Sequence, residues 1–150
     1  NTVPYQVSGT WTPSLLFATT QGTQTYSANN GMWAKTGKVV RATFNLNALT
    51  QTGTGNLSIS LSGLPTPATS SNNVGSLIIS QITGSAAPGV TSNYVNPTGY
   101  VVSAATSVPI NGSFIAIGGG SGGTVTYRQM ASGDIGTTPG FFGTIEYLTN

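Results

Sequence analysis

The chain's ionisable inventory is small enough to read residue by residue. Its cations are Lys35, Lys38, Arg41 and Arg128, its carboxylates are Asp134 and Glu146, and it has neither histidine nor cysteine. Without imidazole or thiol, no Ser-His-Asp triad, Cys-His pair or zinc site can be assembled from it. Two carboxylates are left for acid–base work, and a glycosidase needs such a pair at a defined separation with their proton affinities pushed apart. Asp134 sits in Ser132-Gly133-Asp134-Ile135-Gly136, a turn context in which Asp bonds its own backbone. Glu146 falls in a terminal strand pattern. A catalytic pair within one chain is therefore not expected, and carboxylates meeting between chains of an oligomer stay open as an alternative. Calcium asks for several oxygens, usually with more than one carboxylate, and no Asp-x-Asp-x-Asn run is present. No metal and no cofactor are expected.

What remains is aromatic and amide chemistry, which suits sugars: a ring face stacks on apolar C–H patches while amides, hydroxyls and backbone groups bond the sugar hydroxyls. Tyr94, Tyr100 and Tyr127, with Asn93, Arg128 and Asp134 nearby in sequence, are the candidates for carbohydrate binding, because they fall in or beside expected loops, where binding residues concentrate. Core or interface packing is the competing role for each aromatic. Trp11 and Trp33 fall on expected strands and read as scaffold. The sequence pI of 9.2 rests on four cations, too few to neutralise several phosphates, so nucleic acid is not an expected partner. Lys35, Lys38 and Arg41 lie close in sequence, and three cations on a polar strand read as a solvated face. Residues 118–123 are Gly-Gly-Gly-Ser-Gly-Gly. A phosphate cradle would need a following helix, whereas Thr124-Val125-Thr126-Tyr127 is strand-like, so this segment reads as a loop.

The elements that must position these residues are strands. Apolar residues alternate with polar ones, β-branched residues are abundant, and no segment carries helical spacing with caps. Strands are expected over 10–17, with Pro13 marking an edge or bulge, over 23–28, and over 32–46 with an interruption at Gly37. Further strands are expected over 57–62, 74–82, 114–117, 124–130 and 141–148, with short stretches at 94–95 and 100–102. Asn29-Asn30-Gly31 reads as a tight turn, and Leu77-Ile78-Ile79 as a segment buried on both faces. Eight to ten short strands separated by turn chemistry imply an all-β, antiparallel sandwich of the jelly-roll kind, preferred over a barrel. Gly, Ser, Thr, Asn and Pro make 82 of the 150 residues and only six are charged, so the solvated surface is wetted by hydroxyls, amides and backbone. No apolar run approaches the ~18 residues of a membrane span, and membrane insertion is not expected. Residues 1–8 read as a linker from a longer protein and 9–150 as one sandwich domain; the opening Asn1-Thr2 in place of Met fits that division.

Three stretches together resemble C-terminal domains of bacteriophage tail fibres and tailspikes. They are Gly9-Thr10-Trp11-Thr12-Pro13; Tyr26 with Gly31-Met32-Trp33-Ala34-Lys35-Thr36-Gly37-Lys38-Val39-Val40; and Gly53-Thr54-Gly55-Asn56-Leu57 running on through Gly63-Leu64-Pro65-Thr66-Pro67. The ending Phe142-Gly143-Thr144-Ile145-Glu146-Tyr147 is similar to the closing strand of such domains, while residues 70–130 match no pattern. The resemblance implies a homotrimeric sandwich at the tail tip of a virion. It would adhere to bacterial surface polysaccharide, lipopolysaccharide or capsule, with any depolymerase activity lying mostly upstream. It gives Trp11, Tyr26 and Trp33 a scaffold role and implies that Leu77-Ile78-Ile79 is buried between chains. A purely structural trimerisation cap and a polysaccharide-degrading domain using inter-chain carboxylates are the alternatives, and a cellular carbohydrate-binding module or bacterial adhesin is a further one.

Overall fold

The computed structural model describes residues 5–69, 72–84, 92–116 and 125–150, with the side chains of 92–96 and 114–116 left aside. Eleven strands are present among them: β1 (Gln6–Trp11), β2 (Leu15–Phe17), β3 (Gln24–Thr36), β4 (Val39–Gln51), β5 (Leu57–Ser60), β6 (Asn73–Thr83), β7 (Ser92–Val102), β8 (Ser107–Pro109), β9 (Asn111–Ala116), β10 (Val125–Gln129) and β11 (Gly140–Leu148). They form an eight-stranded antiparallel sheet in the order β1-β3-β4-β11-β6-β7-β9-β10 and a three-stranded sheet β2-β5-β8. The all-β sandwich expected from the sequence is what forms, with its strands divided eight and three. The Gly-rich residues 118–123 lie outside the described residues.

The expected strand over 10–17 is two strands in different sheets. Pro13, which has no N–H to give a ladder, is buried at the break. Past it the chain leaves the edge of the large sheet for the edge of the small one. Since β1 begins at Gln6 and pairs Gln6, Val7 and Ser8 with β3, three residues assigned to the linker belong to the large sheet.

Asn29-Asn30-Gly31 is not a turn. Strand β3 runs straight through it, with Asn30 opposite Asn45 and Gly31 opposite Phe44. The glycine answers a neighbour rather than a bend: Trp11 is its register partner in β1, and Gly9 is likewise the partner of Trp33. A Cβ at Gly31 would overlap Trp11 Nε1 and one at Gly9 would meet the Trp33 indole at 2.9 Å. Each tryptophan thus lies over the glycine of the other strand, which is what the repeated Gly-x-Trp spacing encodes. The turn lies instead at Gly37-Lys38, joining β3 to β4, and Gly37 takes φ +58° there, the left-handed region that two-residue hairpin loops demand.

Strand β4 alternates between two faces, with Val40, Ala42, Phe44 and Leu46 buried and Val39, Arg41 and Thr43 exposed. Leu57 and Ile59 of β5 and Val108 of β8 meet them from the small sheet in one continuous core. In β6, Leu77 and Ile79 are buried but Ile78 is 61% exposed. Burial of that triplet on both faces is therefore not seen within the chain, because strict alternation sends the middle residue to solvent. Residues 96–99, expected to separate two short strands, are part of β7, with a register irregularity between Val95 and Thr98. Strand β9 opens at Asn111, three residues before the expected start at 114.

Candidate functional site

Of the six carbohydrate-binding candidates, Tyr100, Tyr127, Arg128 and Asp134 have described side chains. Arg128 and Asp134 are bound to each other in a bidentate pair, Nη1 to Oδ2 at 2.7 Å and Nη2 to Oδ1 at 2.6 Å. Asp134 is buried and its Oδ2 also accepts from the Ala131 amide at 2.7 Å. This arrangement ties β10 to the 3-10 turn Ser132–Asp134 that follows it, a structural use of both charges. Tyr100 on β7 and Tyr127 on β10 are 46% and 63% exposed. Tyr127 is in register with Ser113 and, through it, with Val95, and Tyr100 is five residues further along β7, roughly 15 Å at strand rise. Asn93 and Tyr94 pair with Ile115 and Phe114 through the backbone, and their side chains lie outside the described residues.

The two carboxylates are separated as well. Glu146 is six residues beyond Gly140 along β11, about 20 Å of strand. Asp134 lies toward the Gly140 end, where the Gly136 amide bonds Gly84 O next to the Thr83–Gly140 pair. Nor do Lys35 and Arg41 share a basic face: Lys35 pairs with Val40 while Arg41 pairs with Ala34, so the two point to opposite sides of the sheet.

Groups with chemistry do meet on the outer face of the large sheet. Arg41 of β4 is the register partner of Glu146 of β11, Glu146 of Ser76 of β6, and Ser76 of Tyr100 of β7. One step along, the row reads Thr43, Thr144, Ile78 and Thr98. Arg41, Ser76, Ile78, Thr144 and Glu146 line a shallow depression of about 330 Å³. Arg41 and Glu146 face each other yet are not within ion-pair distance; the ion pair among the described residues is Arg128–Asp134. Sequence reasoning read Arg41 as part of a solvated face and weighed Glu146 as a catalytic carboxylate, and placed neither among the binding candidates. The alternation around each was legible, but which strand the closing segment pairs with was not, and only that pairing sets Glu146 against Arg41.

The tyrosines with displaced ionisation lie elsewhere and are structural. Burial pushes the Tyr147 phenol well above its ordinary value, and its hydroxyl donates to Pro65 O at 2.5 Å. Burial also raises Tyr26, partly offset by the Leu15 amide donating to its oxygen. A larger groove of about 430 Å³ runs past Leu16, Leu61, Leu64 and Ala104–Thr106 beside the small sheet and carries no charged group. Among the described residues there is no cluster of three His, Cys, Asp or Glu side chains that could hold a metal ion, and no helix long and apolar enough to cross a membrane.

Fold and surface together define an antiparallel sandwich with a neutral, hydroxyl-rich outer sheet face. No family model and no curated protein matches the chain. Among solved structures, the chain is similar to the Dettilon tailspike protein (gp208), with a TM-score of 0.60 and 21% identity over 95% of this chain. At that identity the likeness is one of fold. The chain spans about a quarter of that tailspike's length, 23%.

Proposed function

We propose that the chain is a domain from the C-terminal part of a bacteriophage tail fibre or tailspike, which forms a homotrimer and binds host cell-surface polysaccharide. The observation that carries this reading is the fold likeness to a tailspike over nearly the whole chain, and the Gly-x-Trp and closing-strand motifs point the same way. The surface chemistry suits the task. A face of threonine and serine hydroxyls with few charges can hydrogen-bond a neutral polymer, and exposed Tyr100 and Tyr127 offer ring faces for sugar C–H patches. Three copies on one axis would raise weak single-site affinity by avidity. In this reading the domain adheres and does not cleave, and any depolymerase step belongs to another part of the parent protein.

Light scattering on the 15.2 kDa chain tests the assembly, with a mass about three times that value as the expected result. Binding of fluorescent chain to host cells, competed by their purified lipopolysaccharide or capsule, tests the adhesion. A stable monomer that binds no host cell overturns the proposal. A trimer without affinity would leave only an assembly cap.

A further inference from the structure

The geometry points to the Arg41–Glu146 depression as a subsite for a neutral saccharide, held by a guanidinium on one side and a carboxylate on the other. This rests on the polysaccharide-binding reading above and assigns it a place and a ligand class. Charge is scarce in this chain, with two carboxylates in 150 residues. Asp134 is buried against Arg128. The other carboxylate, Glu146, sits directly opposite a cation on an open sheet face without closing an ion pair on it. A gap between an exposed donor fork and an exposed acceptor is what a vicinal diol fills: one hydroxyl accepts from Arg41, and its neighbour donates to Glu146. Ser76 and Thr144 add hydroxyls beside it, and Ile78, 61% exposed, supplies the apolar contact for a ring's C–H side.

The ligand class follows from the charges. Arg41 and Glu146 sum to zero, and Glu146 would repel a uronic or sialic carboxylate brought within reach of Arg41, so the site favours uncharged sugar units. Its length follows from the sheet. Arg41, Glu146, Ser76 and Tyr100 stand on four neighbouring strands and span roughly 14 Å at the usual strand spacing. That is wider than one pyranose ring, so a second sugar unit would reach Tyr100.

The test is an NMR titration of the isotope-labelled chain with neutral di- and trisaccharides built from glucose, galactose, mannose and rhamnose. Matched oligosaccharides containing a uronic acid form the second arm. The expected result is saturable shifts of the amides at 41, 76, 78, 144 and 146 with neutral sugars, weakened about tenfold in Arg41→Gln and in Glu146→Gln. The unperturbed remainder of each variant's spectrum reports that it is folded. Binding of polysaccharide that both variants retain in full overturns this site while leaving the adhesion reading intact. No binding by any arm or by host polysaccharide overturns both. Tighter binding of the uronic arm, or shifts of the same amides that follow protein concentration without sugar, also overturns the site, the latter by making it a contact between chains.

Discussion

Trp11 and Trp33 each cover a glycine of the neighbouring strand, and that reciprocity fixes the register of β1 on β3. Trp11 adds a bond from Nε1 to Thr43 O at 3.1 Å and an edge-on contact with Phe44, ring centres 6.3 Å apart. Gly31→Ala places a methyl where the Trp11 indole and Thr43 O already stand, and the expected loss is about 2–3 kcal/mol in urea unfolding. Gly37→Ala meets no neighbour and loses only the turn's backbone preference, about 1 kcal/mol. Tyr147 gives a pH signature. Its folded ionisation is raised above the ordinary value of 10.0, so the folded chain keeps a proton that the unfolded chain releases. That contribution is intact below pH about 10 and falls above it, by at most ~1.4 kcal/mol per pH unit for one group. Tyr147→Phe should lose about 1 kcal/mol at pH 8 with the bond to Pro65 and show a shallower decline between pH 10 and 12.

At the scale of strands, alternation carried most of what could be read. It identifies the positions of β4, β5, β10 and β11, because period-two patterning is a local property of the chain. It fails where a residue answers a partner that the sequence does not name. Gly31 looks like a turn until Trp11 is set across from it, and Asn96-Pro97-Thr98-Gly99 looks like a loop until β6 and β9 pair on either side. The Arg41–Glu146 depression was illegible for the same reason, since it exists only through pairing of segments a hundred residues apart. Arg128 and Asp134 were selected as neighbours, and the structure joins them, but to each other. The triplet in β6 separates local from tertiary reading cleanly. Leu77→Ala should cost about 3 kcal/mol and Ile78→Ser less than about 0.5 kcal/mol when unfolding is measured on monomeric chain; equal losses would mean that the outer face is covered.

The molecule as a whole is organised around β11, which lies between β4 and β6 with both edges paired. Its Phe141, Ile145 and Tyr147 are fully or nearly fully buried. The edge strand β1 is more expendable: removing residues 1–8 shortens it to Gly9-Thr10-Trp11 at one edge of the sheet, whereas ending the chain at Pro139 removes the strand on which two halves of the sheet meet. The shorter N-terminal deletion should keep a cooperative unfolding transition, and the chain ending at Pro139 should show none by circular dichroism and urea titration.

That central place for a strand so late in the sequence sets the order of events at the ribosome. Until residue 148 clears the exit tunnel, β4 and β6 each hold an open ladder that fits the same missing strand, and the nascent chain cannot close its sheet. Completion therefore waits on the emergence of β11. In that interval the open ladders of two neighbouring chains are the nearest substitutes for each other, so lowering the concentration of incomplete chains should gain soluble protein.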